Sequence, residues 1–592
     1  MDAHRSRASC PELKAARTEV CATCGRPLSG LRSLRMTTPL VRRIVFFVAR
    51  VSTTLVLLVG LAAISGSAQN APEGPRISVS TRLVQVGVIA RDKNGPVADL
   101  TKEDFVVLDR GKPQKISVFS VESSVFAAAP PLPLRQNTFS DLPGYGRSIP
   151  RSVTIVLLDN LNTLYGSAPT IFENTPHWME DHALANAKAH LLEYLKNLGP
   201  EDRVALYGLS DTLHVLCDFT SDRSQLLAIV RNYDPQSRTS REVVDPAAIH
   251  LPDQPADGVP PPIDADRMNL AAVTNTSRAM TTLAALKAIA GHVANIPGRK
   301  NLVWLSANLP FSAEAMAAIL SPAQIAAYPV DGRGLLPRNS LTQENDTPLG
   351  GLGLPKQMQE TSGSGEFGEP PGIHTMQRLA ELTGGRAFIN SNDLTGAIRD
   401  AVDDAVVLYS LGFYVDAHSA DGKFHELKVQ VRREGLNIRY PKGYLAAEDA
   451  PPTKDQNWKT LVTAVQSPIE SSVIPLEAKV ERVNQPLPDS LSVLCSIDIR
   501  NLRLVETGDL RKGAISVYVL QQDGTGKVLS QWSKTYDLLL SEKQYAALLK
   551  SGMPFSQDVQ PKTGVTTLRV LVEDPATAEV GSLIIPLSEI KQ

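Results

Sequence analysis

The chain has 592 residues, 43% of them apolar, with 60 Lys and Arg against 62 Asp and Glu and a net charge of −2. That length exceeds one ordinary domain, and the apolar share suffices for several packed cores. Near-neutral charge gives no electrostatic reason for nucleic acid or an anionic membrane surface as a partner, so no nucleic-acid partner is expected.

The first fifty residues differ, with ten Lys and Arg against three Asp and Glu. Arg42, Arg43 and Arg50 precede the apolar run Val51 to Ile64, and small residues follow to Ala68. This pattern predicts a signal peptide over 36–68, starting at Met36, with residues 1–35 as a non-native extension. The apolar core is shorter than a membrane span, so a membrane contact is expected only through an uncleaved signal. The mature protein is expected to be exported: periplasmic, held at the cell surface or released. Cys21 and Cys24 fall in the extension, and a single CxxC is weak evidence for zinc. Only Cys217 and Cys495 then remain, which excludes a disulfide scaffold.

Residues 77–122 read as a small β module, too small to hold a core alone. A proline-rich linker over 123–151 follows. Val153 to Leu158 is a continuous run of mostly apolar and β-branched residues ending in Asp159. Such a run predicts a strand covered on both faces. Helical spacing of leucines marks 178–198, stopped by Gly199-Pro200. Strands are expected at 203–209 and 213–219, the second as a hairpin partner, then a short helix at 224–233. Insertions are expected at 234–268 and 341–372. Between them lie a helix over 281–296, a strand over 301–306, a helix over 313–327 and a strand ending at Asp331. A helix over 376–383 stopped by Gly384-Gly385, a strand over 386–389, a helix over 394–407 and a strand over 409–415 complete the series. This order predicts, over 152–415, an α/β fold with a doubly wound, mostly parallel sheet. β-sandwich-like modules flank it. A hairpin over 416–446 is expected to pair with 77–122 as one discontinuous β domain. A linker over 447–473 leads to a C-terminal β-sandwich-like domain over 474–592.

The stretches Val156-Leu-Leu-Asp-Asn-Leu-Asn-Thr163, Gly298-Arg-Lys-Asn-Leu-Val-Trp-Leu-Ser306, Tyr328-Pro-Val-Asp331, Tyr409-Ser-Leu-Gly-Phe413 and Asp421-Gly-Lys-Phe-His425 carry a resemblance. Residues 152–415 resemble a von Willebrand factor type A domain. The span 77–444 is similar to the secreted proteins related to that domain in acidobacteria. The resemblance implies a von Willebrand factor A-like sheet holding a divalent cation, usually magnesium, at its carboxyl edge. Family ligands come from Asp-x-Ser-x-Ser, a later threonine and a later acid. Matched position by position, Asp159 supplies the first acid, Thr163 the last hydroxyl, and Thr281 or Thr282 the threonine. Ser306 stands where the later acid belongs, and Leu161, which has no ligand atom, where the middle serine belongs. The set is thus a degenerate metal-ion-dependent adhesion site. The competing reading is that Asp159 and Thr163 cap the following loop through backbone N–H groups.

Asp159, Asn160, Asn162 and Asp331 are the residues expected at a partner-binding edge, because α/β sheets bind ligands at the carboxyl ends of their strands. His177, His182 and His190 lack metal spacing and read as a solvated helix face. Asp400, Asp403 and Asp404 read as the wet face of their helix, and Arg299-Lys300 as a turn with solvated charge. No nucleophile elbow, P-loop or dinucleotide fingerprint is present. The sequence therefore points to an exported, non-enzymatic binding protein for an extracytoplasmic protein or polymer. The alternative is a hydrolase using the Asp159 region.

Overall fold

The computed structural model describes residues 81–123, 133–141, 152–162, 191–199, 202–233, 265–309, 311–332, 372–389, 407–416, 421–446, 450–484 and 488–591, with positions 188, 189, 396 and 399. The expectations for the signal peptide, Thr163, His177, His182, His190, Asp400, Asp403, Asp404, most of the 234–268 insertion and nearly all of 341–372 lie outside the described residues. Among the described residues no helix is long and apolar enough to cross a membrane.

Among the described residues the strands form five sheets, and four of these are antiparallel at every pairing. The expected fold class, a doubly wound and mostly parallel α/β sheet, is therefore overturned: the chain is β-rich and mostly antiparallel. The physical reason is visible in the strand patterns. Most strands lie outside 152–331, and several of them alternate, which suits antiparallel sheets with one wetter face. Phe424–Val431, for example, alternates covered with exposed residues from its second position onward. The class was read from the middle of the chain, where the parallel-paired strands are buried along most of their length.

Among the described residues parallel pairing is confined to one mixed five-stranded sheet. Ser152–Asp159 lies between Asp202–Leu209 and Lys300–Ser306, parallel to both, and Ile325–Asp331 extends the sheet in parallel. Leu213–Thr220 closes the other edge antiparallel. Every residue from Val153 to Leu158 is at most 2% exposed. Their alternation feeds two cores. Ile155 and Leu157 pack with Leu286, Ile289, Met316 and Leu379, whereas Val156 and Leu158 pack with Leu191, Leu195, Leu226 and Val230.

Helix ends follow local chemistry. Asp222 caps Arg223–Asn232 by accepting from the Ser224 and Gln225 amides. Ile373–Thr383 ends at Gly384, whose φ is +76°. The next residue, Gly385, lies so close to Ala327 O that a Cβ would clash with backbone. The helix expected over 313–327 stops at Leu320, because Gln324 turns left-handed (φ +54°) and Ile325 to Ala327 join the sheet.

The first β segments meet the 407–446 region. Thr81–Asp92 pairs antiparallel with Val407–Asp416 and Asn437–Arg439, and Phe105–Asp109 pairs with Phe424–Val431. Val407–Asp416, read from sequence as the last strand of the central unit, instead sits between Thr81–Asp92 and Val118–Ser123. Two sheets thus share one core containing Val86, Val107, Tyr409, Leu411, Phe413 and Val429. The Tyr409 hydroxyl donates to Val97 O and accepts from Leu100 N, so its buried polar tip is satisfied.

The C-terminal region stacks a six-stranded and a four-stranded sheet about a core with Ala478, Val493, Val517, Leu568 and Val570. One strand of the second sheet, Thr138–Ser140, comes from the segment read as linker. The expected 447–473 linker holds a helix, Lys454–Gln466, opened by a Thr453–Gln456 capping box. Arg569 donates to Val465 O, Ser467 O and Ile469 O around the end of this helix. Burial pushes its guanidinium down to about 10.

Candidate functional site: a saturated carboxylate at the edge of the mixed sheet

Asp159 ends its strand at the carboxyl edge of the parallel-paired strands, as its place after an apolar run requires. Its side chain is turned inward and is 1% exposed. Oδ1 accepts from the Asn162 amide at 2.9 Å, closing a loop of three residues. Oδ2 accepts from Asn162 Nδ2 at 2.8 Å and from Trp304 Nε1 at 2.9 Å. Burial raises the carboxyl above its ordinary range, and the hydrogen bonds from Asn162 and Trp304 oppose that rise.

The network continues one step further. Asn162 Nδ2 also donates to Thr282 Oγ1 at 3.0 Å, and Thr282 donates to Arg278 O at 2.9 Å. Of the two threonines weighed from sequence, Thr282 is therefore the one brought to Asp159; it is fully buried, whereas Thr281 is half-buried. Both amide hydrogens of Asn162 are used, and its Oδ1 is buried with no hydrogen-bond partner. Ser306 is buried and donates to Asn308 O at 2.7 Å. Asp331 lies opposite Ser306 in register and is 4% exposed. Asn160 is buried and its Nδ2 donates to the Tyr233 hydroxyl at 2.7 Å. That hydroxyl lies 2.5 Å from where a Cβ on Gly208 would be, so only glycine admits it there. The four residues expected at a partner contact, Asp159, Asn160, Asn162 and Asp331, are thus all buried.

Trp304 was missed in the sequence reading. The available signal was an indole inside a fully buried strand, whose N–H must find an acceptor. Arg299 and Lys300, read as solvated, are 8% and 2% exposed. Arg299 donates to Gly384 O and Tyr328 Oη, tying two strands to a helix end. Burial pushes the Lys300 amine down to about 8, although Glu122 draws it up.

An exposed rim lies beyond the end of Asp202–Leu209. Ser210 Oγ donates to Asp211 Oδ1 at 2.9 Å and sits 2.9 Å from His214 Nε2. Asp211 and His214 are each about half exposed, with side-chain exposures of 50% and 49%. Part burial pushes the Asp211 carboxyl up, and hydrogen bonds from Ser210 and His214 hold it below its usual range. This is not a nucleophile–base relay. Asp211 lies 3.5 Å from the same imidazole nitrogen that faces the serine, whereas a relay orients the base through its other nitrogen. Among the described residues no cluster of three or more His, Cys, Asp or Glu has metal-holding geometry.

No protein-family model matches the chain, and no curated protein does. Solved structures with partial similarity include an aerotolerance-related membrane protein from Bacteroides fragilis, solved with multiple mutations to serines. It is 15% identical, with a TM-score of 0.22, over 43% of this chain and 98% of its own. A conserved hypothetical protein, BatB, from Bacteroides thetaiotaomicron is 13% identical, with a TM-score of 0.23 and the same coverages. Proximal thread matrix protein 1 from the mussel byssus is 9% identical, with a TM-score of 0.23, over 45% of this chain and 49% of its own. Likenesses at these TM-scores carry no argument about this chain.

Proposed function

We propose that this chain is an exported, non-enzymatic binding protein related to von Willebrand factor type A proteins, which engages an extracytoplasmic protein or polymer. One observation carries the reading: the Asp159 carboxylate is committed to three N–H donors within the fold. A carboxylate so engaged is neither a free general base nor an open cation ligand.

Magnesium fits this set poorly. It requires hard oxygens in near-octahedral array. Around Asp159 the neighbours are the amide hydrogens of Asn162 and the indole N–H of Trp304, which present positive dipoles where a cation would sit. Those N–H groups supply the electrostatic compensation that the ion supplies in the related domains. Asp159 is then an internal buttress that fixes the 160–162 turn. Contact falls to the exposed rim beside it, with Asp211 and His214 as the recognising side chains.

The test is co-sedimentation of the full chain with envelope material of the producing cell. The expected result is retention by the wild type and loss in the Asp211→Ala/His214→Ala double variant, with unchanged melting. No retention by the wild type removes the reading. Turnover of a hydrolase substrate panel that Asp159→Ala abolishes, while the fold persists, establishes the hydrolase alternative instead.

A further inference from the structure

The segment 135–141 reaches across the chain to a strand that begins more than three hundred residues later. Thr138, Phe139 and Ser140 pair antiparallel with Lys479, Ala478 and Glu477. Asn137 takes a left-handed conformation (φ +56°). Its carbonyl accepts from Val480 N, and its side chain exchanges two hydrogen bonds with Lys591, each of 2.8 Å. Phe139 is half-buried against the C-terminal core. Apart from Asp141, the hold is three paired residues, the three Asn137 bonds, a 3.3 Å bond from Ser140 Oγ to Leu476 O and one partly covered ring, which is modest for an edge strand.

Asp141 ends the segment and makes the hold conditional. Its Oδ1 accepts from Leu476 N at 2.7 Å, and its amide donates to Leu476 O at 3.3 Å. Its Oδ2 is buried with no hydrogen-bond partner. The charges that act on it are Glu470 and Asp498, both of its own sign. Asp498 is paired with the exposed Arg500, and the charge of Glu470 acts on Arg569. The adjoining strand brings Glu477 beside Ser140 and an ion pair between Lys479 and Glu481. Among the described residues no cation is hydrogen-bonded to Asp141 to compensate a charge.

We propose that residues 135–141 are a latch strand on the Leu476–Val483 edge, seated while Asp141 is uncharged and released when it ionises. An uncharged carboxyl keeps its acceptor for Leu476 N and leaves Oδ2 as a neutral group. An ionised one places charge on an oxygen with no donor, beside two acids, and escapes this by moving to water. Release uncovers the backbone edge of Leu476–Val483, a ready template for another strand. Burial first, and then Glu470 and Asp498, raise the Asp141 carboxyl well above its ordinary 3.8, against the pull of the Leu476 amide. The seat is therefore firm in acid and loosens as pH rises through that raised value.

Hydrogen exchange on the full chain tests this, comparing 135–141 and 474–480 in wild type and Asp141→Asn at each pH from 5 to 9. The ratio cancels the intrinsic pH dependence of exchange. Asparagine keeps the acceptor and cannot ionise. The expected ratio of wild-type to variant exchange is near one at pH 5 and tenfold or more at pH 9, with Thr567–Asp574 equally protected in both. A ratio that stays constant, or that falls with pH, overturns the proposal. Phe139→Ala loosens the seat without touching the acid. It must lower protection at every pH and keep the same trend; loss of that trend also overturns the proposal.

Discussion

Asp159 is buried and Asp141 half-buried with its Oδ2 enclosed, and each carboxyl is raised above its ordinary range with desolvation as the first cause. They differ in what meets their oxygens. Asp159 receives three N–H donors, and Asp141 one, with its second oxygen unpartnered. The first arrangement fixes a turn, and the second leaves a strand dependent on protonation. Burial alone therefore does not assign a role to an acid; the count of donors around it does.

The comparison is most open to attack at Asp159. Asp159→Ala orphans three buried donors at once and is expected to cost roughly 3–5 kcal/mol in urea unfolding. A cost under about 1 kcal/mol would mean that the three bonds do not hold the 160–162 turn. Lys300→Met asks whether burial without full compensation is costly elsewhere in the sheet. The folded amine sits at about 8 against an ordinary 10.5, so the unfolded chain holds the proton more tightly. Wild-type stability then rises as pH goes from about 8 toward 10.5, and Lys300→Met should gain about 2–3 kcal/mol at pH 7, with the gain fading by pH 10.

Trp304→Phe removes one of the three donors and keeps most of the packing; about 1–2 kcal/mol is expected from the same unfolding assay. For Asp141 the sign is opposite to that of Lys300. A folded acid raised above 3.8 binds its proton more tightly than the unfolded chain. Its contribution is full in acid and is lost as pH rises, and Asp141→Asn should flatten that part of the stability–pH curve. The smallest effect belongs to the rim. His214→Gln is expected to change stability by less than about 0.5 kcal/mol, because its side chain is about half exposed, so any loss of binding there is separable from folding.

Some of this was legible in the residues alone. The unbroken run Val153 to Leu158 could only be a strand covered on both sides, and a polar residue after it had to fall at the sheet edge. Alternation in Phe424–Val431 announced a strand with one wet face, and Gly384 announced a helix end, because these are properties of a few consecutive residues. Asp159 was located as an edge acid, but its inward turn was not. That was decided by Trp304, 145 positions away, whose indole needs an acceptor where the strands align.

Partnership across the chain was beyond local pattern in the same way. Thr138–Ser140 is too short to read as a strand, and it becomes one only because Leu476–Val483 offers an edge. Val407–Asp416 looked like the end of one unit and belongs to the sheet begun by Thr81–Asp92. The overall class, β-rich and mostly antiparallel, follows from such pairings. Backbone hydrogen bonds bind whichever strands the tertiary packing brings together, and sequence periodicity records which faces are dry without naming the neighbour.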